Sequence, residues 1–245
     1  MNARLARSLG VAALPLVTGG WLAVAAAPAA ADDTSGGPRY SYFDAGYQWM
    51  DVNYAIKQEG GQHQGIKLNG SVAIANFGAV GLHLFGEFFD GEFSGVRATC
   101  DGGEGGGSVN FDGDRDSQSL AGGLGISYRL AENTDIVARG AYVDISAFEI
   151  PNNSCQLISA TDDGYFAEGM IRSEISENVE IEAGYRYSDL SDSDISNSDV
   201  LLGLGYHVTD YLTLRVRGIV FDDDTGLELG ARLYFGSFLG RDAIF

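Results

Sequence analysis

Between residues 40 and 235 the chain alternates apolar and polar side chains, one by one, in short stretches separated by breaks. A period of two is the signature of a β-strand with unlike faces. Ten such stretches are predicted, at 40–52, 65–75, 79–89, 117–130, 135–144, 164–175, 179–188, 200–208, 212–220 and 226–235. In the first, Phe43, Ala45, Tyr47 and Trp49 share a face opposite Asp44, Gly46 and Gln48. In the seventh, Val179, Ile181, Ala183, Tyr185 and Tyr187 oppose Glu180, Glu182 and Arg186. In the tenth, Leu227, Leu229, Ala231, Leu233 and Phe235 oppose Glu228, Gly230, Arg232 and Tyr234. The stretch at 135–144 is the least regular, with Ile136, Ala138 and Tyr142 against Val137, Arg139 and Val143.

The connections alternate in length. Residues 76–78, 131–134, 176–178 and 209–211 read as tight turns, whereas 53–64, 90–116, 145–163 and 189–199 are long, and 221–225 is the shortest of that second set. Short turns on one rim and long loops on the other is the layout of a transmembrane β-barrel, with the short turns in the periplasm. An even strand number then returns both ends to the periplasmic rim. Aromatics on the apolar faces fall at two levels. Trp49, Phe88, Tyr142, Tyr165 and Tyr187 lie near the loop end, and Tyr128, Tyr206, Tyr211 and Phe235 near the turn end, with Tyr42 at that level but on the other face. Two such belts suit the two bilayer interfaces. In hydrocarbon no backbone group is left unpaired, so the sheet must close on itself. The predicted fold is all-β, an antiparallel up-and-down transmembrane barrel of ten strands, with eight as the alternative. A soluble, lipocalin-like barrel with reversed faces fits the alternation alone, but neither the loop pattern nor the belts.

Residues 1–31 read as a signal peptide. Arg4 and Arg7 form the basic start, residues 11–24 the apolar stretch, and Ala29-Ala30-Ala31 the small residues before a cleavage that leaves Asp32 first. Residues 32–39 follow as a short periplasmic segment, 40–235 as the barrel and 236–245 as a tail or the end of the last strand. Beyond the leader no apolar run reaches the roughly 20 residues of a helical span.

The polar faces become the barrel interior, and they carry charges of both signs. Lys67, Arg129, Arg139, Arg172, Arg186, Arg215, Arg217 and Arg232 stand against Glu87, Glu168, Glu174, Glu180, Glu182 and Glu228. This near balance contrasts with the chain's net charge of −19, so the excess acid resides mostly in the loops. A surface this acidic excludes nucleic acid as a partner. The interior fits two readings: facing Arg and Glu pair and fill the lumen, or they line a small pore whose basic set favours anions.

The pattern over residues 40–235 resembles the small outer-membrane barrel proteins of Gram-negative bacteria. That group includes eight-stranded outer-membrane protein A and X types and ten-stranded adhesin and protease barrels. The resemblance rests on strand pattern and not on a specific motif. It implies an integral outer-membrane location, contact with lipid and lipopolysaccharide, and recognition of a terminal aromatic by the barrel assembly machinery. Leu233-Tyr234-Phe235 suits that signal, yet residues 236–245 follow, and Phe245 is the other candidate.

Candidate chemistry is sparse. Cys100 and Cys155, in neighbouring long loops of an exported chain, are expected to form a disulfide. Asp112, Asp114 and Asp116 open like a calcium loop, but Ser117 and Gly123 stand where an EF-hand needs Gly and Glu. Loose calcium or magnesium binding there, at 189–199 or at Asp222-Asp223-Asp224 is the remaining metal reading, and no other cofactor is expected. The run Gly102-Gly103-Glu104-Gly105-Gly106-Gly107 lacks the Lys and helix of a phosphate loop and reads as a flexible loop. Of the histidines, only His63 is expected in a surface loop; His83 falls midway along a strand and His207 near a tight turn. An outer-membrane protease would need an Asp–His pair on the loop rim. A lipid A deacylase would need a His-x-Ser facing lipid, which His207-Val208-Thr209 imitates at the wrong end. The expected role is therefore structural or surface-interacting, through acidic extracellular loops. A narrow pore is the alternative and an outer-membrane enzyme a remote one.

Overall fold

A computed structural model describes residues 39–52, 61–94, 115–151, 157–191, 195–221 and 224–235. These residues form ten strands: β1 (Tyr42–Val52), β2 (Gly61–Phe77), β3 (Val80–Ser94), β4 (Arg115–Ala131), β5 (Thr134–Pro151), β6 (Leu157–Ser176), β7 (Val179–Leu190), β8 (Ile195–Thr209), β9 (Leu212–Phe221) and β10 (Asp224–Tyr234). Each pairs antiparallel with its neighbours in sequence, and β1 pairs with β10 to close the barrel. The closing seam is in continuous register from Tyr42↔Tyr234 to Asp51↔Thr225.

The period-two pattern sorts the faces. Leu124, Leu202, Ile66, Leu214 and Leu204 stand exposed on the outside, while Glu180, Arg172, Asp44 and Arg232 are almost wholly buried inside. An outward band of branched aliphatics, with charge inside, inverts a soluble fold and matches a hydrocarbon solvent. The reversed, lipocalin-like arrangement is thereby excluded. Tyr142, Tyr165 and Tyr187 toward one rim and Tyr128, Tyr206 and Tyr211 toward the other are exposed on that outer face.

Four tight turns connect β2–β3, β4–β5, β6–β7 and β8–β9 through the pairs Gly78-Ala79, Glu132-Asn133, Glu177-Asn178 and Asp210-Tyr211. The incoming strand bulges directly before the turn in β4, β6 and β8, between Arg129 and Ala131, Glu174 and Ser176, and His207 and Thr209, and farther back in β2, between Ala73 and Ala75. A bulge adds local twist to the strand that carries it. At Gly78 the chain turns through φ 67°, a conformation suited to glycine.

The strands extend further toward the long loops than alternation predicts. β2 starts at Gly61 and not at 65, β3 runs on to Ser94, and β5 and β6 extend to Pro151 and back to Leu157. Here the outer face meets water while Phe93 stays buried on the inner one, so pairing persists while the apolar-polar alternation fades. Cross-strand polar contacts replace it, with Gln64 Nε2 donating to Glu92 at 3.1 Å and Gln118 Nε2 to Asp90 at 3.0 Å. Strands of 15 to 20 residues from β2 to β6 exceed the 10 to 12 of β1, β7, β9 and β10. Because about 9–11 residues cross a bilayer, the barrel is lopsided, with the β2–β6 wall standing above the membrane.

Two expectations are corrected. Asp116 is not in a loop; it is exposed on β4, paired with Glu92. Tyr40 precedes β1 and turns into the lumen, where it is buried. Residues 1–38, Cys100, Asp112, Asp114, Cys155 and 236–245 lie outside the described residues, as do the disulfide, leader and tail readings that depend on them.

Candidate functional site: the ion-paired lumen

The structure places each predicted interior charge on the inner face and links all but Glu174 into a network of ion pairs among the described residues. On one level Lys67 (β2) lies 3.9 Å from Glu87 (β3) and 3.4 Å from Glu228 (β10), and Arg217 (β9) lies 3.8 Å from Glu228. Arg186 (β7) bridges Glu87 at 2.8 Å and Glu168 (β6) at 2.7 Å, and Arg139 (β5) reaches Glu168 at 3.6 Å. Nearer the tight turns, Glu182 (β7) receives Arg215 at 2.6 Å, Arg217 at 2.9 Å, and Arg172 and Arg232 at 3.3 Å. Glu180 takes Arg172 at 2.8 Å and Arg232 at 3.3 Å. Arg129 binds Asp135 at 2.8 Å. Glu174 sits half-buried at the tight-turn rim, across from Glu180.

Several of these contacts cross the barrel. Arg186 and Glu87 are four strands apart round the ring. Arg139 Nη2 on β5 donates to Tyr42 Oη on β1 at 2.9 Å. Tyr40 Oη donates to Asp135 Oδ2, on the far wall, at 3.0 Å, and its ring stacks on His83 at 4.9 Å. Stacked guanidinium groups fill the space between: Arg186 lies 4.1 Å from the Phe166 ring centre and Arg232 4.2 Å from Tyr42. On the β3–β6 side the filling is apolar, with Phe85, Ala121, Ala141 and Phe166 in one cluster and Tyr40, Val137 and Met170 in another. β4 makes room for it by presenting small inward residues; a Cβ on Gly125 would lie 2.0 Å from His83 Nε2.

Buried charges persist only when paired and hydrogen-bonded, because desolvation otherwise outweighs the attraction. The multidentate sharing of Glu182 meets that demand. The interior thus acts as a packed polar core.

Sequence reading missed several members. Asp44 accepts from both Arg215 and Arg232, and Asp135 from Tyr40 and Arg129. Both share parity with inward residues, Gln48 for one and Arg139 for the other, and that signal was available. Tyr40 shares that parity too, with Tyr42 and Asp44, whereas Arg39, ahead of the predicted strand, carried no such signal. Arg39 donates to the Asp210 carbonyl and stacks on Tyr234 at 4.7 Å, and its own carbonyl accepts from Arg172 at 3.3 Å. Residues 39–41 therefore fold across the tight-turn mouth.

The histidines are distributed differently from expectation in one case. His63 is part of β2, not of a loop, and stacks on the Phe93 ring at 4.0 Å. His83 is fully buried beneath Tyr40, and His207 faces inward near its turn. A depression of about 310 Å³ bordered by Ile74, Leu82, Leu124 and Ala138 faces outward, toward lipid.

These features define an integral outer-membrane barrel. Residues 20–207 match the family model for the outer membrane protein beta-barrel domain, and the chain belongs to that family. No curated protein sequence matches it. Among solved structures, the NanC porin is similar over 80% of this chain and 100% of its own, at 9% identity and TM-score 0.46. An outer-membrane channel from Pseudomonas putida F1 covers 84% and 99%, at 11% identity and TM-score 0.47. The attachment invasion locus protein Ail of Yersinia pestis, solved with the heparin analogue sucrose octasulfate, covers 79% and 97%, at 16% identity and TM-score 0.41.

Proposed function

We propose that this barrel is a non-conducting, non-enzymatic scaffold of the outer membrane, with its lumen closed by its own side chains and its acidic long loops presented to the cell exterior. In this reading the tight turns face the periplasm, lipopolysaccharide surrounds the long-loop rim, and the barrel assembly machinery inserts the chain. The observation that carries the proposal is the cross-lumen pairing of Arg186 with Glu87 and Glu168 at 2.7–2.8 Å, backed by the Tyr40–Asp135 contact below it. A water-filled path would have to part those groups. The long-loop rim also carries outer-face tyrosines held by acids of the next strand, with Tyr142 donating to Asp163 at 2.8 Å and Tyr165 to Asp189 at 2.9 Å. Such a rim is a fixed acidic surface, suited to cations or basic partners and unfavourable to polyanions.

The test is single-channel recording of refolded protein in a planar bilayer. Silence from folded, inserted protein is the expected result. Discrete conductance steps would replace the proposal with the narrow-pore alternative, and a preference for anions would assign selectivity to the inner arginines.

A further inference from the structure

The tight-turn rim holds a cluster that the lumen network does not absorb. Glu174 on β6 and Glu180 on β7 are direct cross-strand partners. Like charges so placed destabilise a sheet. Glu180 is relieved by Arg172 and Arg232, whereas Glu174 forms no ion pair among the described residues. His207 completes the group: one oxygen of each carboxylate and one ring nitrogen lie within 4.8 Å of one another. The His207 side chain belongs to a residue only 7% exposed. Its Nδ1 sits 2.6 Å from Thr213 Oγ1, and its Nε2 is buried with no hydrogen-bond partner. Gly205, between β7 and β9, leaves this wall bare; a Cβ there would lie 3.0 Å from Thr213 Cγ2 and 3.5 Å from Glu180 Cβ.

We infer that Glu174, Glu180 and His207 form a binding site for a divalent transition-metal ion, zinc in the first instance, reached from the tight-turn mouth. The donor set decides the class. Two carboxylates and an imidazole suit zinc, whereas calcium and magnesium select oxygen donors alone. The Thr213 contact is the outer hydrogen bond that fixes ring orientation in metal-binding histidines; with Nδ1 donating to it, Nε2 carries a bare lone pair. Rotation of the half-buried Glu174 side chain brings the three donors toward the roughly 2.0–2.2 Å radius of a zinc site. Arg172 and Arg232 already draw on Glu180, so Glu174 and His207 are the principal ligands and Glu180 the third. That competition makes the site exchangeable.

The full refolded chain in detergent, stripped with chelator, is titrated with zinc by calorimetry and with cobalt(II) by visible absorption. One saturable equivalent is expected, with ligand-field bands for cobalt. His207→Gln and Glu174→Gln each weaken it at least ~10-fold, while Glu92→Gln, at the opposite rim, leaves it unchanged. Unheated gel mobility identifies folded variants; Glu174→Gln, at the half-buried rim, keeps the test if His207→Gln does not fold. Absence of saturable binding by folded protein overturns the inference. So does binding that neither rim variant alters, which would place the ion on the acidic loops.

Discussion

Arg186 on β7 donates to both oxygens of Glu87 on β3, at 2.8 and 3.1 Å, across four strands of the ring. The same guanidinium donates twice to Glu168. One side chain therefore ties three strands, two of them on opposite walls. Its removal leaves Glu87 only the longer contact with Lys67 at 3.9 Å and Glu168 only that with Arg139 at 3.6 Å, and breaking a buried pair costs about 3–5 kcal/mol. Arg186→Ala is expected to destabilise the barrel by that order in urea unfolding from lipid vesicles. Replacing Arg186 and Glu87 together with apolar residues of similar volume (Arg186→Met, Glu87→Leu) should cost less than the single change, since Glu168 keeps Arg139 and Lys67 keeps Glu228. A double variant worse than Arg186→Ala would show that the pair stabilises directly and does not merely satisfy its own members.

Tyr40 makes a second cross-barrel tie, from the segment before β1 to Asp135 on β5. Tyr40→Phe keeps the ring on His83 and loses the hydroxyl bond, an expected loss of about 1 kcal/mol, since Asp135 retains Arg129. Tyr40→Ala opens a cavity against Val137 and Met170, with an expected loss of about 3–5 kcal/mol. Equal effects of the two substitutions in the same unfolding assay would mean that the ring does not fill the mouth.

The strand number and the facing of each strand were legible because lipid enforces strict alternation: in the eighth strand Leu202, Leu204 and Tyr206 must point outward, leaving His207 inward. What pairs with what inside was not legible. Arg186 meets Glu87 only because closure and stagger bring β7 and β3 to one level, and no local spacing encodes that. The extended ends of β2 to β6 escaped for the opposite reason: residues such as Gln62, Gln64 and Glu92 make the outer face polar once the strands leave the bilayer. Tyr40 shares the inward parity of Tyr42 and Asp44, but no spacing encodes its reach across the mouth to Asp135. The Glu174–Glu180–His207 group needs three strands in register, although its first two members face each other across a turn visible in sequence.

His83 packs directly over Gly125, where a Cβ would lie 2.0 Å from Nε2. Gly125→Ala forces the fully buried imidazole to move against Tyr40, an overpacking cost of about 1–3 kcal/mol. The expected signature is rescue: in a His83→Ala background the same glycine substitution should cost markedly less. If the cost is the same with and without the imidazole, the close approach is not what selects glycine there.

Depth in the membrane separates two leucines on the outer face of β4. Leu124 is 61% exposed and sits at mid-strand, while Leu130 is 59% exposed and precedes the tight turn. A soluble protein would treat them alike, since their exposure is the same. In a bilayer an arginine at the midplane costs about 2–4 kcal/mol and one near the interface about 0–1 kcal/mol. Leu124→Arg is therefore expected to be the more destabilising by roughly 2 kcal/mol in vesicle unfolding, and the gap should shrink in detergent micelles, which deform around the charge. Equal costs in vesicles would displace the bilayer from the band that the outer face defines.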